Sequence, residues 1–262
     1  MLEYEGTAYA GFQRQSNVSS VQGAVERAIE LLTGTWSTLA GAGRTDSGVH
    51  ALGQVAAFDI ERALPVERIK QGLNHYLPDD IAVIAAHQAP GDFDPRRHAV
   101  ARVYRYTFLV GRVRSPIRRR FVHAVSGPLD IEAMASALAY VEGGRDFAPF
   151  AGAVEDGRST RRRIHRTEVW QEGAEVHMEI EGNAFLPQQV RRMAGAVLAV
   201  GSGTMAMEAF EALADSSRPG AAERVLPARG LCLRAVRYRD FPADQNATTA
   251  NNNTHTRGAA QT

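Results

Sequence analysis

One order of periodic segments occurs twice in this chain, and that repeat limits its fold more than any other feature. "MLEY" reads as the end of a strand. "VSSVQGAVERAIELLTG" then places Val21, Ala24, Val25, Ala28, Ile29 and Leu32 at the three-four spacing of an amphipathic helix capped by Ser19 or Ser20. A short strand near Ser37–Ala40, a glycine-rich loop, the strand "QVAAFDI", a helix near Val66–Tyr76 and the strand "IAVIAA" complete βαββαβ. The order returns as strand "VYRYTFLV", helix Ile131–Val141, strands near "RTEVWQ" and "EVHMEIEGN", a helix opened by Pro187 in its first turn, and strand "LCLRAVRY". A further helix near Met207–Ala214 precedes the last strand. The fold class is therefore α+β, with two ferredoxin-like βαββαβ halves at 1–94 and 95–241. Their mainly antiparallel strands are expected to form one large mixed sheet, helices on one side and a basic active-site cleft on the other. The tail 242–262 is polar and rich in Asn and Thr, so it is expected to be disordered.

The glycine-rich loop "GAGRTDSGVHALGQV" fits neither phosphate-cradling pattern. Gly43 and Gly48 frame four residues, but Val49 and His50 follow where a P-loop needs Lys and Ser or Thr. Gly41-x-Gly43 is followed by Asp46 where a dinucleotide fingerprint needs its third glycine, and a carboxylate there repels pyrophosphate. Asp46 itself remains. In an extended segment Arg44 and Asp46 share a face, where the guanidinium keeps the carboxylate ionised as a nucleophile or base. The same letters also suit an Asx turn in which Asp46 bonds its own backbone.

Charge is uneven along the 262 residues. Residues 1–94 carry 6 basic and 12 acidic side chains, 95–166 carry 15 and 6, and 167–262 carry 9 and 11. Nine arginines and no acid lie between Pro95 and Leu129, and "RSTRRRIHR" follows. With one lysine against 29 arginines, base-rich coding explains the choice of Arg but not the missing acids. Such clusters are the electrostatic footprint of a polyanion, and Arg118, Arg119, Arg120, Arg161 and Arg162 are the candidate contacts. The single cysteine, Cys232, excludes an internal disulfide, and eight scattered histidines lack metal-ligand spacing, so no metal is expected. No apolar run approaches a membrane span and no leader pattern opens the chain, so a cytoplasmic protein is expected.

Two segments could face Asp46. In "ARVYRYTF", Arg102, Tyr104 and Tyr106 share a strand face, an aromatic beside arginines that suits stacking on a base. In "GNAFLPQQVRRMAGAVLAVG", Gln188, Arg191 and Arg192 open a helix, where cations oppose the dipole unless an anion is near. "RDFAPF" with "GRSTRRR" could form a mobile basic edge.

The chain resembles the tRNA pseudouridine synthase A family. The resemblance is carried by "YEGTAYAGFQRQ", "VQGAVERAI", "GAGRTDSGVHALGQVAAFD", "LNHYLPDDIAV", "ARVYRYTF", "RDFAPF", "NAFLPQQVRRMAGAVLAVG" and "ARGLCLRAVRY", over nearly all of 1–241. It implies a cofactor-free isomerase converting uridine to pseudouridine in the tRNA anticodon arm, at tRNA positions 38, 39 and 40, with a homodimer holding one tRNA across both protomers. It implies Asp46 as the catalytic Asp, Arg44 as the arginine before it, Tyr104 as the active-site tyrosine and Arg191 as the arginine of the late helix. Glu5, Gly111 and Pro187 depart from residues common in the family. A non-catalytic RNA clamp and an unrelated Asp-nucleophile hydrolase are the competing readings; the latter needs a second carboxylate as acid.

Overall fold

A computed structural model describes residues 1–61, 63–111, 113–155 and 157–239. The tail at 242–262 lies outside the described residues. The N-terminal part runs β1 (Leu2–Tyr4), α1 (Val21–Thr33), β2 (Ala40–Gly41), β3 (His50–Gln54), β4 (Ala56–Ala57), α2 (Val66–Tyr76) and β5 (Ile81–Val83). Beyond it come β6 (Ala101–Val110), β7 (His123–Val125), α3 (Ile131–Tyr140), β8 (Gly143–Asp146), β9 (Arg161–Glu172), β10 (Glu175–Gly182), α4 (Gln189–Gly201), α5 (Met207–Ala214) and β11 (Leu231–Arg237).

Nine strands make one mixed sheet in the order β5-β1-β3-β11-β6-β10-β9-β8, with β7 beside β6. The order β11-β6-β10-β9 closes the second βαββαβ unit with antiparallel neighbours. In the first unit the expected second strand is missing from this sheet. That segment, β2, pairs only with β4 in a separate ribbon, and its place beside β3 is taken by β11, parallel to β3 through Cys232–His50 and Leu233–Ala51. One strand from the C-terminal end of the chain thereby joins both units. At the expected basic edge, Arg145 and Asp146 of "RDFAPF" end a strand, β8, paired with the start of β9, and Ala148–Phe150 form a 3-10 turn with Phe147 and Phe150 buried.

Helix α1 forms as its spacing dictates. Ser20 Oγ accepts from Gly23 N at 3.2 Å, Gly34 ends the helix in the left-handed region, and Val21, Val25, Ala28 and Ile29 are buried. Each large aliphatic side chain so buried contributes about 1.5–3 kcal/mol. Helix α4 starts at Gln189, two residues after Pro187, with Gln188 as its cap in the left-handed region.

Strand alternation sets two different faces. Tyr104, Tyr106 and Phe108 of β6 enter the core shared with Met193 and Val197 of α4, and Leu2 and Tyr4 of β1 enter it with Val21 and Val25 of α1. Glu3, Arg105 and Thr107 point the other way, into a cavity on the face without helices.

Candidate active site

The glycine-rich loop is laid against the segment Tyr9–Phe12. Phe12 N donates to Thr45 O at 3.1 Å, while Gly48 N and Ser47 Oγ both donate to Tyr9 O at 3.2 Å. Two glycines permit this approach. Gly11 has φ +107° and a Cβ there would meet Thr45 O at 2.8 Å, and Gly48 turns the chain at φ +76°. Val49 N closes the turn onto Asp46 O at 3.1 Å. His50, buried at the start of β3, accepts from Gly6 N through Nδ1 at 3.0 Å. Its Nε2 therefore carries the hydrogen and donates to Arg120 O at 2.7 Å.

Asp46 meets Arg191 across the gap between the two helix-bearing units. Arg191 Nη1 donates to Asp46 Oδ2 at 3.2 Å, and its Nε is held by Leu226 O at 2.7 Å. The side chains are 16% and 34% exposed, so the pair is partly shielded yet reachable. Among the described residues, Oδ1 has no protein donor and no Asx-turn bond is made. The carboxylate also lies by the first turn of α4, whose dipole favours an anion and offsets the cost of an arginine there.

Asp46 lines a pocket of about 350 Å³, with Arg191 holding the carboxylate at its side. Tyr104 forms one wall, buried and edge-on to Phe185 at 5.2 Å and 85°. Burial first, then the nearby Tyr4 and Asp46, pushes its phenol well above the ordinary value, so it is an uncharged ring with its O–H proton in place. Among the described residues its hydroxyl has no partner. Arg44, Arg96, Arg102, Arg158 and Arg162 line the pocket, and the one further acid there, Glu155, pairs with Arg158 at 2.7 Å. Arg102 and Tyr104 of β6 line it, so the pocket lies on the sheet face toward which Tyr106 and Phe108 point, beside the start of α4, and not on the bare face.

The other sequence candidates sort into three groups. Gln188 and Arg162 line the pocket together with Arg44. Arg102 also lines it, but its guanidinium is turned inward: it donates to the carbonyls of Ala42, Arg96, Ala99 and Asn183 and is 7% exposed. Its guanidinium ties strand β6 to the glycine loop and is not available to phosphate. Arg192 is similarly engaged, with Gln188 Oε1 and with Ala222 O at 2.7 Å. Arg161 is exposed on β9 beside Arg162. Arg118, Arg119 and Arg120 lie outside the Asp46 pocket. Arg118 pairs with Glu175, Arg119 bonds Pro116 O and Arg120 pairs with Glu5 at 3.2 Å. Arg44 is exposed and makes no ion pair with Asp46 among the described residues; the cation on the carboxylate is Arg191.

Arg96 and Arg158 of the pocket belong to the arginine-rich stretches that the sequence marks, whereas Phe185 does not stand out in the sequence as a site residue. Phe185 does leave a signal there, an aromatic in the loop just before the helix that carries Arg191.

A continuous mixed sheet, a carboxylate held by an arginine from the opposite unit and an aromatic wall in a basic pocket define a nucleic-acid-modifying enzyme of the pseudouridine synthase class. A family model described as tRNA pseudouridine synthase matches residues 1–96 and 137–239. The tRNA pseudouridine synthase A of Myxococcus xanthus is 44% identical over 92% of this chain and 91% of its own. That of Geobacter sp. (strain M21) is 41% identical over 91% and 97%, and that of Roseiflexus castenholzii 42% over 94% and 91%. The chain belongs to the tRNA pseudouridine synthase A family.

Proposed function

We propose that this protein isomerises uridine to pseudouridine in the anticodon arm of tRNA, at tRNA positions 38, 39 and 40, with Asp46 as the reacting carboxylate. The observation that carries this reading is the Asp46–Arg191 pair, set in a pocket walled by Tyr104 and Phe185. The reaction breaks N1–C1′, turns the base and joins C5 to C1′. A proton leaves C5 and one arrives at N1, so nothing is oxidised or reduced overall. A carboxylate with one oxygen held by arginine and the other open can attack carbon or take a proton.

The target base has to leave its stack to reach Asp46. Arg44, exposed and two residues away, is placed to fill the gap it leaves. The faces of Tyr104 and Phe185 suit packing against the extruded ring. Arg96, Arg158 and Arg162 are the groups we assign to the flanking phosphates, with Gln188 at the base or sugar. In this reading residues 1–94 supply the nucleophile and 95–241 the tyrosine, the pairing arginine and most of the basic rim. Two copies hold one tRNA in the cytoplasm, so each pocket receives a substrate braced by the other protomer.

Product analysis of a uridine-containing anticodon stem-loop tests this directly. Pseudouridine at the substituted positions is expected. Free uracil would point to a hydrolase, and unchanged RNA that stays bound would point to a clamp.

A further inference from the structure

Beneath the Asp46 turn, three polar side chains from three elements are buried together. Thr45 is 6% exposed, Tyr4 of β1 is 3% and Gln54 of β3 is 0%. Tyr4 Oη and Thr45 Oγ1 are 2.9 Å apart, and Gln54 Nε2 donates to Gly43 O at 2.9 Å and reaches Tyr4 Oη at 3.5 Å. The bond to Gly43 O fixes the amide orientation, so Tyr4 Oη accepts from Gln54 and its own proton points at Thr45. Burial pushes the Tyr4 phenol far above its ordinary value, so that proton stays in place across the working range of pH.

Such a trio is a poor way to gain stability. Buried polar groups cost free energy unless every atom is bonded, and Gln54 Oε1 is buried with no partner. An apolar Val-Phe-Leu set in the same space would pack without that cost. What the polar set supplies is direction. Gly43 and Thr45 alternate with Arg44 and Asp46, and the network ties down the first two. The chain carbonyl of Thr45 is fixed as well, by Phe12 N. With both inward residues held, Arg44 and Asp46 both project into the pocket. None of the three network residues is charged, and of them only Thr45 lines the pocket that we assign to the base.

We propose that Thr45 is a positioning residue for the isomerisation, its hydroxyl bonded to Tyr4, which Gln54 holds in turn, so that Asp46 is aimed at the flipped nucleotide. The proposal rests on the function given above. Two substitutions separate positioning from mere packing. Thr45→Val keeps the shape and removes the hydroxyl; Thr45→Ser keeps the hydroxyl and removes a buried methyl.

For Thr45→Val we expect kcat on tRNA to fall at least about tenfold with tRNA Kd within about twofold; the variant melts lower because the buried Tyr4 hydroxyl loses its partner, and adding Tyr4→Phe, which removes that hydroxyl, recovers melting temperature but not kcat. For Thr45→Ser we expect kcat within about threefold of wild type although it melts lower. Activity and stability thus part company: Thr45→Ser is active although it melts lower, and Thr45→Val with Tyr4→Phe regains stability without regaining activity. Full kcat in Thr45→Val, or activities that follow the melting temperatures, would overturn the proposal. Hydrogen exchange over residues 43–49 of the intact protein reads the same question without turnover. Faster exchange in Thr45→Val than in Thr45→Ser supports it, even should the wild type fail to isomerise uridine, which would count against the function alone. Equal exchange in both variants would overturn it.

Discussion

Two hollows lie on opposite faces of one sheet, and the larger is not the one built for chemistry. The bare face holds a cavity of about 590 Å³ with Glu3, Glu5, Asp79 and Glu175 facing Arg105 and Arg118. Five acids and three arginines line it, and ion pairs engage Arg105 with Glu179 at 2.8 Å, Arg118 with Glu175, and Glu5 with Arg120. The Asp46 pocket is smaller; five arginines line it, and with Arg158 paired to Glu155 at 2.7 Å, Arg44, Arg96, Arg102 and Arg162 have no acidic partner among the described residues. Opposite charges that satisfy one another leave little field for a polyanion, whereas an unbalanced rim leaves a strong one. Size and local arginine density are therefore poorer guides than the balance of charge around an open, held carboxylate.

The contrast is sharpest at Arg191. Changing it to Leu removes the partner of Asp46 and one bond to Leu226 while keeping α4 apolar. Since a charge-assisted hydrogen bond is worth about 1.5–3 kcal/mol, kcat should fall roughly ten- to a hundredfold. A variant with wild-type kcat would show that the pair is structural only. Next in size is the rim. Arg96, Arg158 and Arg162 changed together to Ala should weaken tRNA binding and lower the slope of log affinity against log salt by about 0.7–0.9 for each phosphate no longer neutralised. The matching triple change of Arg118, Arg119 and Arg120 should alter that slope by less than about one in total. Salt titrations of both triples beside wild type check this, and the reverse ranking would move the RNA path to the bare face.

The smallest effect concerns pH. His50 is lowered from its ordinary 6.5 mainly by burial, with Arg120 O, Glu5 and the Arg229 backbone acting the other way. A base whose folded value is depressed contributes stability that is present above 6.5 and lost as pH falls through the folded value, because protonated Nδ1 can no longer accept from Gly6 N. Phe121 stacks on the ring at 5.0 Å and shields it. Melting temperatures should therefore drop from pH 7 to pH 5 more steeply in wild type than in His50→Asn. Parallel curves would remove His50 from the acid limb.

Much of this was legible in the residues, for identifiable reasons. Amphipathic spacing located α1, α2 and α3, since core packing demands that spacing whatever the tertiary context. The glycine loop pointed to Asp46 because its spacing failed every phosphate pattern, and an arginine at the start of α4 implied an anion nearby. Period two also put Tyr104 on one face with Tyr106. What local pattern could not show was pairing across the chain. Nothing in "LCLRAVRY" says that β11 will replace β2 beside β3, because strand exchange between units is decided by the sheet as a whole. Nor does "ARVYRYTF" say that the Arg102 guanidinium will be used up by four carbonyls. Arginine runs report charge but not partners, so Arg118 and Arg120 cannot be told from Arg96 and Arg162 until the fold sets Glu175 and Glu5 opposite the first two.

The central claim is that Asp46 reacts and that the rest of the pocket only binds and aims. Asp46→Asn keeps the size of the side chain and removes its negative charge and basicity, so it tests this most directly. With the full chain and saturating tRNA, the account predicts pseudouridine formation below about a thousandth of the wild-type rate, with tRNA Kd within about threefold. Sustained pseudouridine formation by Asp46→Asn at about a tenth of the wild-type rate or more would contradict it.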